Sequence, residues 1–388
     1  MKARKHLSQP SLFGDEVHGV EDPSFLSEQL ITYIGNKRSL LPAISEATEK
    51  VCAEIGRDRI RVFDGFAGSG VVSRLFKTFA SEIVSNDLES YARIIGECFL
   101  TNQGEVDLTE LSALVDQFNQ QVDEEARGER GFIERLYAPA DEHNVRLGER
   151  VFYTPDNARR LDSFRSLIEP LPPKTAARLL GPLLSSASVH ANTAGVFKGF
   201  YKDKVSGVGK LGGSGADALE RITGQIRMRV PVLSRFSSKA EIHQMDANAL
   251  VDSVGDFDLA YFDPPYNQHP YGSNYFMLNL LVDYREPTEV SKVSGIPEDW
   301  TRSPYNMKRM AFERLQDLVL RVDARYVLLS FNDEGFIQPG EMREFLSELG
   351  PVDEVQQKHN TFRGSRNLRN RSMHVTEHLY LLRKLEGV

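Results

Sequence analysis

The chain has 388 residues, with 47 Lys and Arg against 55 Asp and Glu, a formal net charge of -8, and a hydrophobic share of 40%. This composition excludes a disordered chain, a collagen and a membrane-spanning protein, because no apolar run is long enough to cross a bilayer. The basic N-terminal stretch has no apolar segment behind it, so we expect no secretory signal and a cytoplasmic location. Cys52 and Cys98 are too few for a disulfide framework and lack a metal-type spacing.

An α/β unit follows an N-terminal extension, residues 1–29. The apolar run Ile60–Phe63 predicts a strand ending in Asp64, the glycine-rich GFAGSG predicts a tight turn, and VVSRLFKTFA predicts a helix. Glu82–Ser85 predicts a second strand, which ends at Asp87. This order indicates a Rossmann-like, doubly wound and mostly parallel sheet.

The strand pattern then breaks off and resumes, which predicts an insertion. Residues 101–239 contain an acidic helical stretch (Thr109–Arg130), a helix near Lys174–His190 and a glycine-rich basic loop. We expect one discontinuous domain, 30–100 and 240–388, split around this insert. Its later elements are predicted as strands Glu241–Met245, Asp258–Phe262, Arg325–Phe331 and Val375–Leu382, with a helix over Met310–Val322.

Acidic residues follow several of these strands, at the sheet edge where such folds bind ligands. Gly65, Gly68 and Gly70 let the backbone turn tightly and approach a ligand, and Asp87 is placed to accept hydrogen bonds from ribose hydroxyls. Because the glycine spacing departs from GxGxxG, we expect an adenosine-containing cofactor without a phosphate. The alternative is a glycine turn beside a solvated aspartate.

A strict GxGxxG occurs at Gly207, Gly209 and Gly212, but no buried strand precedes it. A flexible basic loop that follows a phosphate backbone explains this segment better.

The most specific pattern is Asp263-Pro264-Pro265-Tyr266, directly after the apolar DLAYF. Each proline lacks an amide donor and holds the preceding residue extended, so the segment presents acceptors without competing donors. The Asp263 carboxylate and the Pro264 carbonyl can accept both hydrogens of an exocyclic amino group, and Tyr266 offers an aromatic face to its ring. These residues indicate a site that alkylates an aromatic amine, although a proline-stiffened strand end is the simpler alternative.

Charge is distributed unevenly along the chain. Residues 195–239 carry nine basic and three acidic residues, and residues 356–371 carry five basic residues and no acid. The remainder of the chain therefore carries -19. Two basic islands on an acidic body favour a polyanionic partner, although a charged segment can also be an ordinary solvated surface. The candidate DNA-binding residues are Lys198, Lys202, Lys210, Arg227, Arg229, Arg363, Arg366 and Arg369.

At this point the sequence resembles a known family, the alpha-group, Dam-like DNA adenine N6-methyltransferases. The resemblance rests on four motifs in the family's order and not on the middle of the chain. These are Tyr33-Ile34-Gly35-Asn36-Lys37, the turn with Asp64, Phe66, Gly68 and Gly70, the acid Asp87, and the tetrapeptide Asp263–Tyr266.

The resemblance implies S-adenosylmethionine as the methyl donor and double-stranded DNA as the substrate. Tyr33 and Lys37 would contact the methionine end of the cofactor, Phe66 and the glycines would line its cleft, and Asp87 would hold the ribose. Asp246 resembles the acid that meets the cofactor's adenine, although capping of the following helix is an equal alternative. The adenine must be flipped out of the duplex before Asp263, Pro264 and Tyr266 can hold it.

Several alternatives remain open at the sequence level. Cytosine N4, RNA adenine or a protein glutamine could be the target, and the chain could be a catalytically silent regulator or, less plausibly, a nicotinamide oxidoreductase. We also expect that a restriction endonuclease is the functional partner of this chain. We expect no metal, since the HxxEH string at His374–His378 lies in a strand-like stretch and not in a helix.

Overall fold

The computed structural model describes residues 21–124, 130–213, 216–360, 374–385 and 387. Within these residues, one seven-stranded sheet has the order β3-β2-β1-β4-β5-β7-β6. The strands are β1 Ile60–Asp64, β2 Ala80–Asp87, β3 Lys239–Gln244, β4 Phe257–Phe262, β5 Ala324–Asn332, β6 Val352–Asn360 and β7 His374–Arg383. Neighbours from β3 to β5 pair in parallel, whereas β7 is antiparallel to both β5 and β6. The mostly parallel, doubly wound sheet predicted from the sequence is confirmed.

Helices connect the strands and cover both faces of the sheet. They are α1 Pro23–Ser27, α2 Leu41–Ile55, α3 Val71–Lys77, α4 Ser90–Phe99, α5 Leu108–Glu124, α6 Phe132–Tyr137, α7 Pro155–Ile168, α8 Pro173–Val189, α9 Ala216–Thr223, α10 Ala247–Leu250, α11 Tyr271–Asn274, α12 Phe276–Asp283, α13 Lys308–Arg321 and α14 Pro339–Leu349. The helices predicted after β1, in the insert and before β5 agree with α3, α5, α8 and α13. The helix predicted up to Arg130 is described only to Glu124, because residues 125–129 lie outside the described part of the chain.

Helices of the insert share a hydrophobic core with helices of the sheet. α8 packs against α4 and α12, and their buried side chains form one cluster that includes Phe99, Leu180 and Leu281. Gly181 on α8 permits the close approach, because a Cβ at this position would lie 2.7 Å from the Cβ of Cys98 on α4. The insert is therefore packed into the body of the molecule along this side.

A buried lysine joins the two points where the chain leaves and re-enters the sheet. The Lys77 ammonium, at the end of α3, donates hydrogen bonds to the Leu100 carbonyl at 2.8 Å, Asn102 Oδ1 at 2.6 Å and Ser238 Oγ at 3.0 Å. Burial lowers the pKa of Lys77 to about 8. These three bonds fix both ends of the insert relative to β2 and β3.

Candidate active site

A cleft of about 820 Å³, open to solvent, lies at the carboxyl ends of β1 and β4. The strand order reverses there, because β2 lies on one side of β1 and β4 on the other. The predicted site residues that line the cleft are Tyr33, Lys37, Phe66, Gly68, Asp87, Asp246, Asp263 and Pro265. The fold therefore brings together residues that are more than 200 positions apart in the sequence.

The glycine turn between β1 and α3 is held by Asp87. Gly68 has a φ of +53° and donates its backbone N–H to Asp87 Oδ2 at 2.8 Å, while the other carboxylate oxygen accepts from the Glu89 N–H at 2.9 Å. A Cβ at Gly68 would lie 2.8 Å from the Tyr33 hydroxyl, so no larger residue fits without displacement. Gly70, with a φ of +73°, begins α3 beneath this turn.

Asp64 lies under the turn and does not line the cleft. Its carboxylate accepts hydrogen bonds from Ser73 Oγ at 2.5 Å and from the Phe66 N–H at 3.3 Å. Burial raises the pKa of Asp64 to about 7. A contact of Asp64 with the cofactor, which its place in the glycine-turn motif implies, stays a prediction; in the structure its carboxylate, on the last residue of β1, holds the turn.

Asp246 and a set of aromatic rings form one end of the cleft. Asp246 accepts from the Ala249 N–H at 3.1 Å as the cap of α10, so the capping alternative is confirmed, and the side chain still lines the cleft. Phe66 lies edge-on to Tyr305 and to Phe262, with ring centroids 5.1 and 6.2 Å apart. This apolar slot with an acidic edge matches the shape and polarity of an adenine ring.

Three tyrosines hold the segment 33–37 at the other end. Tyr33 stacks against both Tyr271 and Tyr275, at centroid distances of 5.0 and 4.8 Å, and these two rings are 6.1 Å from each other. The Tyr275 hydroxyl accepts from the Ile34 N–H at 2.7 Å, and the Tyr271 hydroxyl donates to the Ile34 carbonyl at 3.2 Å. Sequence reasoning missed Tyr271 and Tyr275, although their spacing of four residues just after the tetrapeptide was a usable signal.

Lys37 lines the cleft, and acceptors of the protein itself surround its ammonium. Its Nζ lies 3.1 Å from Asp263 Oδ1 and 3.6 Å from Glu377 Oε2, and it donates to the Gly35 carbonyl at 3.1 Å. The Lys37 side chain is 3% exposed. Desolvation raises the pKa of Asp263 to about 6, and the Lys37 charge limits that rise. In the structure Lys37 pairs with the aspartate of the tetrapeptide, and its contact with the methionine end of the cofactor stays a prediction.

Tyr266 is buried beside this ion cluster. Its ring lies edge-on to Phe331 at 5.4 Å, and the Lys37 ammonium lies 5.3 Å from its centroid. The Tyr266 carbonyl accepts from the Phe336 N–H at 2.8 Å. The turn after β5 therefore supports the tetrapeptide through its backbone.

The HxxEH string lies on β7, where successive side chains point to opposite faces. Glu377 faces Lys37, whereas His378 Nδ1 lies 2.7 Å from Glu354 Oε1. Among the residues that the structure describes, no group of three or more His, Cys, Asp or Glu side chains could hold a metal ion.

The basic loop of the insert adjoins the cleft. The Phe197 N–H donates to the Asn274 carbonyl at 2.7 Å, and Asn274 ends the short helix that begins with Tyr271. Four of the predicted DNA-binding side chains are exposed and have no ion pair with another described residue: Lys198, Lys202, Lys210 and Arg229. Arg227 instead pairs with Asp123 at 3.0 Å.

The second basic island lies largely beyond what the structure describes. Arg363, Arg366 and Arg369 are outside the described residues. No described helix is both long and apolar enough to cross a membrane.

Comparison with known proteins agrees with this geometry. Residues 33–345 match the family model described as the D12 class N6 adenine-specific DNA methyltransferases. The chain belongs to this family. It is an adenine-specific DNA methyltransferase that uses S-adenosylmethionine.

Three relatives of this methyltransferase are named Type II methyltransferases or a modification methylase. The Type II methyltransferase M.NlaIII of Neisseria lactamica is 29% identical over 91% of this chain and 99% of its own length, and the Type II methyltransferase M.CviAII of Paramecium bursaria Chlorella virus 1 is 28% identical over 86% and 93%. The modification methylase StsI of Streptococcus sanguinis is 27% identical over 82% of this chain and 46% of its own length. A solved putative class I S-adenosylmethionine-dependent methyltransferase from Listeria monocytogenes has 9% identity and a TM-score of 0.33, covering 90% of this chain and 61% of that chain.

The cleft of the methyltransferase suits its cofactor. A positive-φ glycine without room for a side chain, an aspartate at the end of β2 and an apolar slot with an acidic edge are the groups that a phosphate-free adenosine needs. Four strand ends and one N-terminal segment supply them together.

Proposed function

We propose that the methyltransferase flips one adenine out of double-stranded DNA and presents its N6 amino group to the methyl donor at Asp263. The observation that carries the proposal is the position of Asp263, which follows β4 directly and faces the cleft beside the glycine turn of β1. Through Oδ1 the carboxylate contacts the Lys37 ammonium at 3.1 Å, and it meets no backbone amide of a described residue, so acceptor capacity remains for a substrate amine. A paired adenine cannot reach such an acceptor, because its amino group is engaged in the duplex.

In the proposed reaction, Asp263 and the Pro264 carbonyl accept the two amino hydrogens and orient the nitrogen lone pair. The Tyr266 ring forms a wall of the base pocket, with Phe331 behind it. S-adenosylmethionine would supply the methyl group. As the bond between the methyl carbon and N6 forms, the bond between that carbon and sulfur breaks and its electron pair stays on sulfur. N6 then loses one proton to water. The chain contributes positioning and electrostatic stabilisation of the positive charge on nitrogen.

We assign the cofactor to the residues that line the cleft. Asp87 would accept from the ribose hydroxyls, Asp246 would accept from the adenine amino group, and Phe66 would pack on the adenine ring. Tyr33 would close the methionine end. These roles are supported by the cleft geometry and by the motifs of the family.

The test of the reaction is Asp263→Ala. We expect this variant to bind S-adenosylmethionine with an affinity near that of the wild type and to lose at least about 100-fold of its methyl transfer, because the amine loses its main acceptor. Transfer of labelled methyl groups to DNA and calorimetric titration of the cofactor measure the two effects. Asp353→Ala is the control, since Asp353 is 65% exposed and pairs only with Lys50 among described residues. Methyl transfer at the wild-type rate by Asp263→Ala would remove Asp263 from the mechanism.

We further propose that the enzyme is the modification partner of a restriction endonuclease. Relatives named as Type II methyltransferases support this pairing. Sequencing of DNA from cells that express the chain, by a method that reports modified bases, identifies the methylated sequence. That DNA should then resist an endonuclease that recognises the same sequence, and cleavage of fully methylated DNA by that endonuclease would contradict the pairing.

A further inference from the structure

We propose that Glu377 on β7 is a positioning residue of the methyl-transfer site, which forms with Lys37 and Asp263 a buried ion cluster of net charge -1 that favours positive charge on the substrate amine. This inference rests on the proposed role of Asp263. Glu377 belongs to none of the motifs that indicated the function, and it comes from a strand more than 100 residues after the tetrapeptide.

The contacts of Lys37 define the cluster. One ammonium has three hydrogens, and three acceptors surround it: the Gly35 carbonyl and Asp263 Oδ1 at 3.1 Å each, and Glu377 Oε2 at 3.6 Å. The side chains of Lys37, Asp263 and Glu377 are 3%, 17% and 12% exposed. Solvent therefore screens their charges weakly.

Glu377 changes the net charge of the cluster. Lys37 and Asp263 alone would be a neutral pair, and the lysine would compete with the substrate amine for the aspartate. With Glu377 ionised, the cluster carries one unbalanced negative charge, and part of the lysine's interaction is directed away from Asp263. An amine that gains positive charge during methylation is then stabilised beside the cluster.

The side chain of Glu377 is itself fixed by its surroundings. Asn332 Nδ2 at the end of β5 donates to Glu377 Oε1 at 3.4 Å, so the other oxygen faces Lys37. The antiparallel pairing of β7 with β5 sets this contact, because Asn332 and Glu377 are register partners. Glu377 Oε2 is buried without a hydrogen bond to a described residue, and it faces the Lys37 ammonium at 3.6 Å, so the interaction of this oxygen with Lys37 is electrostatic.

The experiment compares Glu377→Gln with the wild type on duplex DNA that the wild-type full chain methylates. The substitution keeps the shape and the contact with Asn332 and removes the charge. We expect kcat to fall by about tenfold or more, with the KM for S-adenosylmethionine changed by less than about threefold. The acid limb of the kcat profile should also move to lower pH, because the negative charge of Glu377 raises the pKa of Asp263.

Other charged or titratable groups interact with Asp263 and can influence the pH dependence of kcat. They are Lys37, Asp64, Tyr261, Tyr266 and Tyr271. Burial raises the pKa of each of these tyrosines, so they stay neutral over the range of the acid limb. Asp64 titrates in that range, but it is present in both the wild type and the variant.

Two further variants make the result decisive. Glu354→Gln is the matched control, because Glu354 is a partly buried glutamate on the adjacent β6 that contacts His378 and Arg343. It should leave the acid limb in place. Glu377→Asp withdraws the same carboxylate by one methylene, and its kcat should lie between those of the wild type and Glu377→Gln.

A wild-type kcat and acid limb in Glu377→Gln would overturn the inference. If that variant does not fold, a wild-type kcat in Glu377→Asp overturns it, because the shorter side chain withdraws the carboxylate from Lys37. Failure of the proposed function looks different, because Asp263→Ala would then retain methyl transfer.

Discussion

Two aspartates that directly follow neighbouring strands have different environments. Asp263 faces the cleft and pairs with Lys37, whereas Asp64 is fully buried and bonded to a serine hydroxyl and a backbone amide. Desolvation raises the pKa of both carboxyl groups, to about 6 and about 7. One of these groups is available to the substrate, and the other supports the turn that carries the cofactor motif.

At the residue level, we expect Asp64 to make stability depend on pH. The pKa of Asp64 is about 7 in the folded state and near 4 in the unfolded state, so the folded state binds the proton more tightly. The contribution of Asp64 to the free energy of unfolding is therefore complete below pH 4 and is lost as the pH rises through about 7. A shift of this size corresponds to roughly 2 to 4 kcal/mol. Asp64→Asn removes the titration while an amide can still bond to the turn, so its melting temperature should change less between pH 5 and 8 than that of the wild type.

The control for this prediction is Asp353→Asn, which alters an exposed carboxylate. Thermal unfolding followed by circular dichroism at a series of pH values measures both variants. An Asp64→Asn profile parallel to that of the wild type would show that Asp64 does not titrate in this range.

At the level of the elements, the connection from β1 to α3 shapes the cofactor cleft. Its backbone passes through positive φ at Gly68 and Gly70, and the Gly68 amide is fixed by Asp87 at the end of β2. The arrangement of β1, β2 and α3 around the cleft therefore depends on this one turn.

Gly68→Ala should weaken cofactor binding more than it weakens folding. Alanine at a φ of +53° costs roughly 1 kcal/mol, and its Cβ would displace the Tyr33 hydroxyl, which lies 2.8 Å away. We expect the Kd for S-adenosylmethionine, measured by calorimetry, to rise by about tenfold or more. Gly104→Ala is the matched control, because a Cβ there meets no atom within 4 Å. Equal affinities of the two variants would contradict the close packing of Tyr33 on the turn.

At the level of the whole molecule, the charge distribution differs from the count along the sequence. Several basic residues of the insert are engaged within the protein: Arg227 with Asp123, Arg235 with Asp22 and Lys239 with Glu82. The exposed cations that remain include Lys198, Lys202 and Lys210, in or next to the loop that contacts α11. Of the predicted DNA-binding residues of the insert, Arg227 is engaged in an ion pair, and the DNA-binding role of the exposed cations stays a prediction.

Replacing Lys198, Lys202 and Lys210 together with alanine should reduce the salt dependence of DNA binding. Each lost phosphate contact lowers the slope of log K against log salt by about 0.9, so the slope should fall by up to about 3. Titrations of labelled duplex DNA at several salt concentrations measure it. Lys239→Ala is the control, since this lysine is paired with Glu82. An unchanged slope in the triple variant would exclude phosphate contacts by these lysines.

Some elements could not be predicted because their sequences lack the expected periodicity. β6 is a polar edge strand, VDEVQQKHN, and α12 is apolar on nearly all sides, FMLNLLVD, so neither shows the alternation on which prediction depends. Helix α2, after the Tyr33–Lys37 motif, and α14 were missed as well. The predicted strands agree with β1 to β5 and β7 to within a few residues, because all of them except the polar β3 contain an apolar run.

The sequence by itself determined the sheet class, the glycine turn, the cofactor, the family and the aspartate of the tetrapeptide, because each is read from short motifs or from the order of such motifs along the chain. Only the tertiary structure decided the partner of Lys37, the burial of Asp64, the tyrosine stack and the place of Glu377. These features join segments up to 340 positions apart, from Lys37 to Glu377. Strand pairing and the packing of buried side chains bring such segments together, and no local pattern of residues encodes their distance.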